Sequence, residues 1–306
     1  MINIVDIVIR SWNAFEYTKL AVDTLRTTTG IPIKIIVVDD GSKTDNIQRL
    51  REISDIVLVE HGRNLGLAQV AITASKNISS EVAVLMDNDI IVQQGWLERF
   101  LPYFEDKQVA IVAPIKIHRD YIYPGSKKST KEVWEEIKQL GLKPPEALSK
   151  FIDNQDLETF RGKLVNFNNL DDEIIDAPPG FVSGGLITFR KNAVEKVGGL
   201  ARKIFPSYGG EDVDLCWRLG EAGYKIIKSC QVYAHHFEHS SVTVNNVDYK
   251  ARLTESNKLL YKYWGEKVLE KKKYLVQKCG QERTNDRYPF ISIFENIRLE
   301  GKSGYF

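Results

Sequence analysis

The sequence predicts an α/β protein built on a mostly parallel, Rossmann-like sheet with helices on its faces. Between Ile4 and Met86, short runs rich in Ile and Val alternate with longer amphipathic stretches, which is typical of parallel strands joined by helical crossovers. The length of 306 residues suffices for one large domain or two tightly joined halves. No internal repeat is visible in the sequence.

The first part of the chain contains four predicted strand and helix steps. The strands are Ile4 to Ile9, Ile33 to Val38, Ile56 to Val59 and Val82 to Met86, and the helices lie near Glu16 to Thr27, Thr44 to Ile53 and Gly66 to Ser79. A helix at Trp96 to Phe104 and a strand at Ala110 to Ala113 follow.

The remainder of the chain divides into three predicted segments. Residues 1–117 are predicted to form the first half of the domain. Residues 118–176 are predicted to be an insertion, with a helix near Lys131 to Leu140 and a break at Pro144-Pro145. Residues 177–247 continue the same domain with a strand at Leu186 to Phe189 and a helix at Glu211 to Ala222. Residues 248–306 are expected to form a lysine-rich helical tail.

Composition excludes several classes of protein. The formal net charge is +1, from 42 basic and 41 acidic residues, so no overall field favours nucleic acid as a partner. Three cysteines without C-x-x-C spacing argue against a disulfide framework and a thiolate zinc site. No run of 18 apolar residues and no signal peptide is found, so we expect a cytoplasmic protein.

Acidic residues follow two predicted strands, where ligands bind in open parallel sheets. Asp39 and Asp40 end the second strand, and Asp87-Asn88-Asp89 ends the fourth. Asp and Asn are common in turns, so a D-x-D sequence alone has a purely structural explanation. At the end of a buried strand, however, its carboxylates can bind a hard divalent cation such as Mn²⁺ or Mg²⁺, together with a diphosphate.

The usual phosphate-binding loops are absent from the sequence. No G-x-G-x-x-G is found, and Gly301-Lys302-Ser303 lacks the upstream glycine of a Walker motif because position 296 is Asn. Phosphate charge must then be handled chiefly by a metal and by side chains.

A glycine pair, Gly209-Gly210, precedes an acidic helix start that includes Asp212 and Asp214. Acids at this position can simply complement the helix dipole, and we expect no more than this of Asp214. Asp212 can instead face a cleft and act as a general base.

Histidines 235, 236 and 239 cluster without the H-E-x-x-H order of zinc metalloproteases. One of them is expected to add a nitrogen ligand to the metal held by Asp89. The others would pack, or contact phosphate or acceptor.

The tail contains six lysines between Lys262 and Lys278. A solvated helix face is the default interpretation. With several nearby aromatic residues, the sequence also allows weak contact with an anionic membrane surface.

These motifs, in this order, resemble the family 2 glycosyltransferases, which have the GT-A fold, and particularly their rhamnosyltransferase-like branch. The matching segments cover residues 1 to about 265 apart from the insertion. They are Ser11-Trp12-Asn13, Val37 to Ser42, Asn64-Leu65-Gly66, Asp87-Asn88-Asp89, Phe181 to Gly185 with Arg190, Gly210 to Leu215 with Arg218, and Trp264-Gly265.

The resemblance implies a role for each matched residue. Residues 1–117 would bind the nucleotide sugar, with Asp39 recognising the base, Asp87 the ribose and Asp89 the metal. His236 would be the extra metal ligand, with His235 nearly as plausible and Asp87 a further candidate. Asp212 would be the base of an inverting transfer. The other donor-binding residues would be Ser11, Trp12, Asn13, Asp40, Asn64 and Asn88, and the acceptor side would include Gly184, Gly185 and Glu211.

One departure from the family pattern concerns the acceptor pocket. After Gly198-Gly199 the family often has an aromatic residue followed by acids, whereas this chain has Leu200-Ala201-Arg202-Lys203. The acceptor pocket is therefore expected to be unusual.

The sequence thus predicts an inverting transfer of sugar from a UDP- or dTDP-linked donor to a glycan, lipid-linked or protein acceptor. Bacterial surface glycan synthesis, in the cytoplasm or at the inner membrane face, would be the setting. A nucleotidyltransferase is a rival, but it normally has a glycine-rich loop after the first strand, where this chain has Arg10 to Ala14. A non-catalytic sugar-nucleotide-binding module is a second rival, and retention of both Asp89 and Asp212 argues against it.

Overall fold

The computed structural model describes residues 4–118, 120–205, 209–238, 244–281, 284 and 287–302. Nine strands form one mixed sheet in the order β3-β2-β1-β4-β8-β6-β9-β5, with β7 paired to β9. The strands are β1 (Val5–Ser11), β2 (Ile33–Asp39), β3 (Ile56–Glu60), β4 (Val82–Asp87), β5 (Ile90–Val92), β6 (Val109–Ile115), β7 (Glu173–Ile174), β8 (Leu186–Arg190) and β9 (Lys225–His236).

The first four strands are parallel and match the predicted strands closely. β1 lies between β2 and β4, and β2 pairs in turn with β3. All seven residues of β1 are buried, as expected for a strand covered on both faces. The carboxyl ends of β1, β2 and β4 therefore meet at one edge, with Ser11 opposite Asp39 and Arg10 opposite Asp87.

The rest of the sheet joins the two halves of the chain. β8 is antiparallel to both β4 and β6, and β9 is parallel to β6 and antiparallel to β5. We did not predict β5 or β9. Polar residues such as Lys225, Lys228 and Ser229 interrupt the apolar pattern of β9, and β5 has only three residues.

Eleven α-helices are described. They are α1 (Phe15–Thr28), α2 (Thr44–Arg51), α3 (Leu67–Asn77), α4 (Trp96–Phe100), α5 (Thr130–Lys138), α6 (Pro144–Phe151), α7 (Leu157–Asn168), α8 (Lys191–Lys196), α9 (Glu211–Glu221), α10 (Tyr249–Cys279) and α11 (Pro289–Lys302). The single helix predicted at Trp96 to Phe104 is instead α4 followed by the 3-10 helix Leu101–Glu105, which has Pro102 in its first turn.

The predicted insertion contains α5, α6 and α7 rather than one helix. The Pro144-Pro145 break is the first turn of α6, a position that tolerates proline. These helices enclose a core of their own around Trp134, Phe151 and Phe160. Tyr233 of β9 and Phe237, the residue after β9, belong to the same core.

The C-terminal helices pack on the sheet side that also holds α3 and α9. Leu260, Val268 and Leu275 of α10 are fully buried in this core, and Trp264 is 8% exposed. α10 thus buries one apolar face, while the solvated lysine face stays a prediction. Within the described ranges, no helix is both long and apolar enough to cross a bilayer.

Candidate active site

A cleft of about 340 Å³ opens at the edge where β1 and β4 end. Six of the residues predicted to bind donor line it: Ser11, Trp12, Asp40, Asn64, Asp87 and Asn88. Asp89, Gly185, Glu211, Asp212 and His236 line it as well. The structure thus brings residues from both halves of the chain into one cavity.

Asp87, Asp89 and His236 form a group that could hold a metal ion. One ligand atom from each lies within 4.8 Å of the others, and His236 Nε2 is 3.1 Å from Asp89 Oδ1. Residues 88 and 89 form the turn between β4 and β5, and the antiparallel pairing of β5 with β9 sets His236 opposite Ile90. Two carboxylates and one imidazole suit Mn²⁺ and are compatible with Mg²⁺.

His235 lies outside this group because neighbouring side chains on a strand point to opposite faces. Its ring is fully buried, 4.5 Å from the Trp134 ring centroid and 4.8 Å from that of Phe237. Burial lowers the pKa of His235 to about 3, so the ring is neutral. The geometry therefore favours His236 over His235 as the nitrogen ligand, while His239 lies outside the described residues.

Asp212 is in the first turn of α9, which begins after Gly210 in a left-handed conformation (φ 90°). Its Oδ2 accepts a 2.8 Å hydrogen bond from the Gly184 amide, and its Oδ1 accepts one from the Val213 amide at 2.8 Å. A Cβ atom at Gly184 would lie 2.8 Å from the Cβ of Asp212. Gly184 therefore allows the close approach of the two segments without lining the cleft itself.

Glu211 lies beside Asp212 and is almost completely buried. Its Oε1 is 3.1 Å from Arg10 Nη1, and its Oε2 has no hydrogen-bond partner among the described residues. Burial and the neighbouring Asp212 raise the pKa of Glu211 to about 7, although Arg10 opposes the shift.

The structure uses Asp39 and Asp40 chiefly to fix their own loops. Asp39 is fully buried, and its Oδ2 accepts hydrogen bonds from the amides of Gly41 and Ser42 at 3.0 and 2.9 Å. Asp40 accepts hydrogen bonds from the Leu65 and Gly66 amides, both at 2.9 Å. Asp40 still borders the cleft, whereas the Asp39 side chain is not among its lining residues, so the expected contact of Asp39 with a base receives no geometric support.

Asn13 likewise ties loops together rather than lining the cleft. Its Oδ1 accepts a 2.8 Å hydrogen bond from the Lys43 amide, and its side-chain amide donates to Asn245. Asn245 precedes α10, so Asn13 and its neighbour Trp12 contact the start of the C-terminal segment.

Three basic residues at or near the cleft were not predicted. Arg10 is the next-to-last residue of β1 and donates to Asp87 Oδ1 at 2.8 Å, and Arg252 of α10 lines the cleft. Lys116 donates to the Ser183 carbonyl at 3.1 Å, and burial lowers its pKa to about 8. The sequence could have indicated Arg10 and Lys116 as cleft residues, because each is a charged residue at the end of an otherwise apolar strand. No sequence pattern indicates Arg252.

Comparison with known proteins agrees with this geometry. The family model for glycosyl transferase family 2 matches residues 6–197, and the model described as the N-terminal domain of galactosyltransferase matches residues 177–240. The pre-mycofactocin glycosyltransferase of Mycobacterium tuberculosis is 27% identical over 196 residues, which are 63% of this chain and 35% of that protein.

Other relatives are involved in glycan synthesis by name. The chondroitin synthase of Pasteurella multocida is 28% identical over 227 residues, 67% of this chain and 22% of that protein. The O-antigen chain rhamnosyltransferase RfbN of Salmonella typhimurium is 21% identical over 255 residues, 76% of this chain and 66% of that protein. This chain spans only about a third or less of the length of the pre-mycofactocin glycosyltransferase and of the chondroitin synthase.

Among the solved structures that share the fold are two that contain a nucleotide and Mn²⁺. The mannosyltransferase PcManGT from Pyrobaculum calidifontis, in complex with GDP-Man and Mn²⁺, has a TM-score of 0.53 at 17% identity and aligns over 84% of this chain and 63% of its own. GalNAc-T7 with UDP, GalNAc and Mn²⁺ has a TM-score of 0.53 at 15% identity, over 77% of this chain and 44% of its own. The predicted GT-A fold is confirmed.

Proposed function

Because the chain belongs to glycosyl transferase family 2, we propose that it moves a sugar from a nucleotide-diphosphate donor to an acceptor hydroxyl with inversion at the anomeric carbon. One observation carries this proposal: the group Asp87, Asp89 and His236 shares a single cleft with Asp212. A non-catalytic sugar-nucleotide-binding module would need Asp87, Asp89 and His236 to hold the metal, but it would not need a carboxylate at the start of α9.

The donor is proposed to be a UDP- or dTDP-linked sugar bound with Mn²⁺ or Mg²⁺. The structures of PcManGT and GalNAc-T7, which share the fold, each contain a nucleotide and Mn²⁺. Asp87, Asp89 and His236 would hold the cation in this chain, and a bound cation would offset the charge of the diphosphate leaving group. Trp12 and Asn64 border the same cleft and are proposed to contact the nucleoside.

Asp212 is proposed to be the general base of a single displacement. The acceptor oxygen forms a bond to the anomeric carbon, the nucleoside diphosphate leaves with the bonding electron pair, and Asp212 Oδ takes the hydroxyl proton. The Gly184 amide fixes one carboxylate oxygen and so orients the side chain. Glu211 lines the acceptor side of the proposed reaction centre, with one oxygen that has no described partner.

The acceptor is proposed to be a glycan, lipid-linked or protein hydroxyl in bacterial surface glycan synthesis. The named activities of the relatives support this class. Residues 200–203, where the sequence departs from the family pattern, do not line the cleft. Leu200 and Ala201 are buried in the core, and Arg202 pairs with Asp214.

We expect nucleotide binding to require the divalent cation. In calorimetric titrations, UDP or dTDP should bind the native protein with Mn²⁺ and lose at least about tenfold in affinity with a chelator, the scale on which even outer-shell partners of a metal matter. Asp89→Ala and His236→Ala should reproduce that loss in the presence of Mn²⁺. A panel of nucleotide sugars, tested for metal-dependent hydrolysis and thermal stabilisation, would then identify the donor.

The matched control is His235→Phe, which replaces the neighbouring ring in the aromatic cluster without touching the group. This variant should bind UDP like the native protein. Equal affinity for UDP with and without chelator would contradict the metal site. If only His235→Phe lost affinity for UDP, the nitrogen ligand would be His235 and not His236.

Peripheral contact with the inner membrane face through α10 stays a prediction. Several tail lysines have local partners: Lys267 pairs with Glu221, Lys272 with Glu295, and Lys271 donates to the Pro178 carbonyl. The exposed Tyr274 remains available to a surface. Sedimentation with vesicles measures this contact, and more protein should sediment with anionic vesicles than with neutral ones. Equal amounts of sedimented protein with the two kinds of vesicle would contradict the prediction.

A further inference from the structure

We propose that Arg10 is a positioning residue that fixes the general base relative to the metal-binding acids. This inference rests on the proposed function. Arg10 lies near the end of β1, at the register position opposite Asp87, and its side chain is 5% exposed. Its guanidinium reaches three acceptors: Asp87 Oδ1 from Nε at 2.8 Å, Glu211 Oε1 from Nη1 at 3.1 Å, and the Gly184 carbonyl from Nη2 at 2.9 Å.

The contact with Gly184 connects Arg10 to Asp212. The carbonyl of Gly184 accepts from Arg10, and its amide donates to Asp212 Oδ2 at 2.8 Å. The adjoining Gly185 carbonyl accepts from the Asp87 amide at 2.7 Å. The segment Gly184-Gly185 is therefore held between the backbone amide of Asp87 and the carboxylate of Asp212, and Arg10 bonds both to this segment and to the Asp87 carboxylate.

The shape of the guanidinium matters as much as its charge. A buried cation needs partners, and Asp87 and Glu211 supply two carboxylates. Only a planar group with donors in several fixed directions can reach all three acceptors at once, whereas an ammonium is a compact point charge. Arg10→Lys therefore keeps the positive charge but loses the simultaneous hydrogen bonds to the three acceptors.

The test compares Arg10→Lys with Arg190→Lys. Arg190 is also a buried strand arginine, bonded to the Val109 carbonyl and to Glu81, and it lies away from the cleft lining. In Arg10→Lys we expect kcat to fall about 10- to 100-fold, as a misplacement of about 1 Å can cause. Because Arg10 also bonds to the metal-binding Asp87, the KM for the donor and the affinity for UDP are measured at saturating Mn²⁺, where both should stay within about threefold of native. Arg190→Lys should lower the unfolding temperature and leave kcat unchanged.

A second arm measures whether Arg10 acts through Asp212. In an Asp212→Asn background, Arg10→Lys should lower the residual kcat little further, because residues that act as a unit are not additive. The Gly184 amide should also exchange its hydrogen faster in Arg10→Lys than in native protein or Arg190→Lys. Arg10→Gln is the second variant if Arg10→Lys does not fold.

Native kcat and native Gly184 exchange in Arg10→Lys would overturn the proposal, as would a fall in kcat matched by an equal loss of UDP affinity. Full additivity with Asp212→Asn would also overturn it. If the native protein transferred no sugar, the proposed function would fail instead, and Gly184 exchange would still report on the link between Arg10 and Gly184.

Discussion

Replacing Asp212 with Asn is expected to lower turnover by roughly a hundred- to ten-thousand-fold, the range for a lost general base. The asparagine keeps the size of the side chain, but its single oxygen can accept only one of the two amide hydrogen bonds that Asp212 accepts from Gly184 and Val213. We therefore expect α9 to keep its position with one backbone hydrogen bond lost. UDP affinity with Mn²⁺ should be unchanged because the metal group does not include Asp212. Steady-state kinetics and calorimetry on the same preparation measure both quantities.

The stereochemistry of the product is an independent check of this role. NMR of the anomeric proton should show inverted configuration, as direct displacement requires. Near-normal turnover in Asp212→Asn, or a product with retained configuration, would falsify the mechanism. A loss of UDP affinity equal to the loss of turnover would instead place Asp212 in the donor site.

Replacing Asp214 with Ala is expected to destabilise the fold by about 3–5 kcal/mol, the cost of leaving a buried charge without its partner. Asp214 is fully buried and accepts hydrogen bonds from Arg202 Nε at 2.9 Å, Arg218 Nε at 2.7 Å and Trp264 Nε1 at 2.9 Å. Urea denaturation of the native protein and the variant gives the difference in the free energy of unfolding.

Asp212→Asn is the matched control for this measurement, since it changes an acid two positions away on the same helix. That variant should keep native stability within about 1 kcal/mol, as is usual where no buried network is broken. If Asp214→Ala also lost no more than about 1 kcal/mol, Asp214 would act only on the helix dipole, as the sequence suggested.

The parallel half of the fold was predictable because its strands are short, apolar and separated by amphipathic helices. The strand-end rule then identified Asp87, Asp89 and Asp40 as cleft residues. The acidic start of α9 identified Asp212 through its glycine pair. These predictions depend on local patterns and on one topological rule.

The remaining site residues depend on contacts that a local pattern does not encode. The choice between His235 and His236 rests on the pairing of β9 with β5, because a shift of one residue exchanges the faces of a strand. Asp39 and Asp214 have the residue types of functional acids, yet Asp39 accepts hydrogen bonds within its own loop and Asp214 accepts them from two arginines and a tryptophan. Arg10 could not be assigned because its three acceptors come from distant parts of the chain.

The hydrogen bond between Trp264 and Asp214 has a consequence for the order of events during synthesis. Its two partners are 50 residues apart, so α9 leaves the ribosome well before the indole that completes its polar surroundings. Until then, the carboxylate of Asp214 has only arginine partners, and the apolar face that α10 later covers remains open to solvent. A nascent chain arrested before Trp264 would therefore present the uncovered apolar face around α9 to the chaperones of the cell.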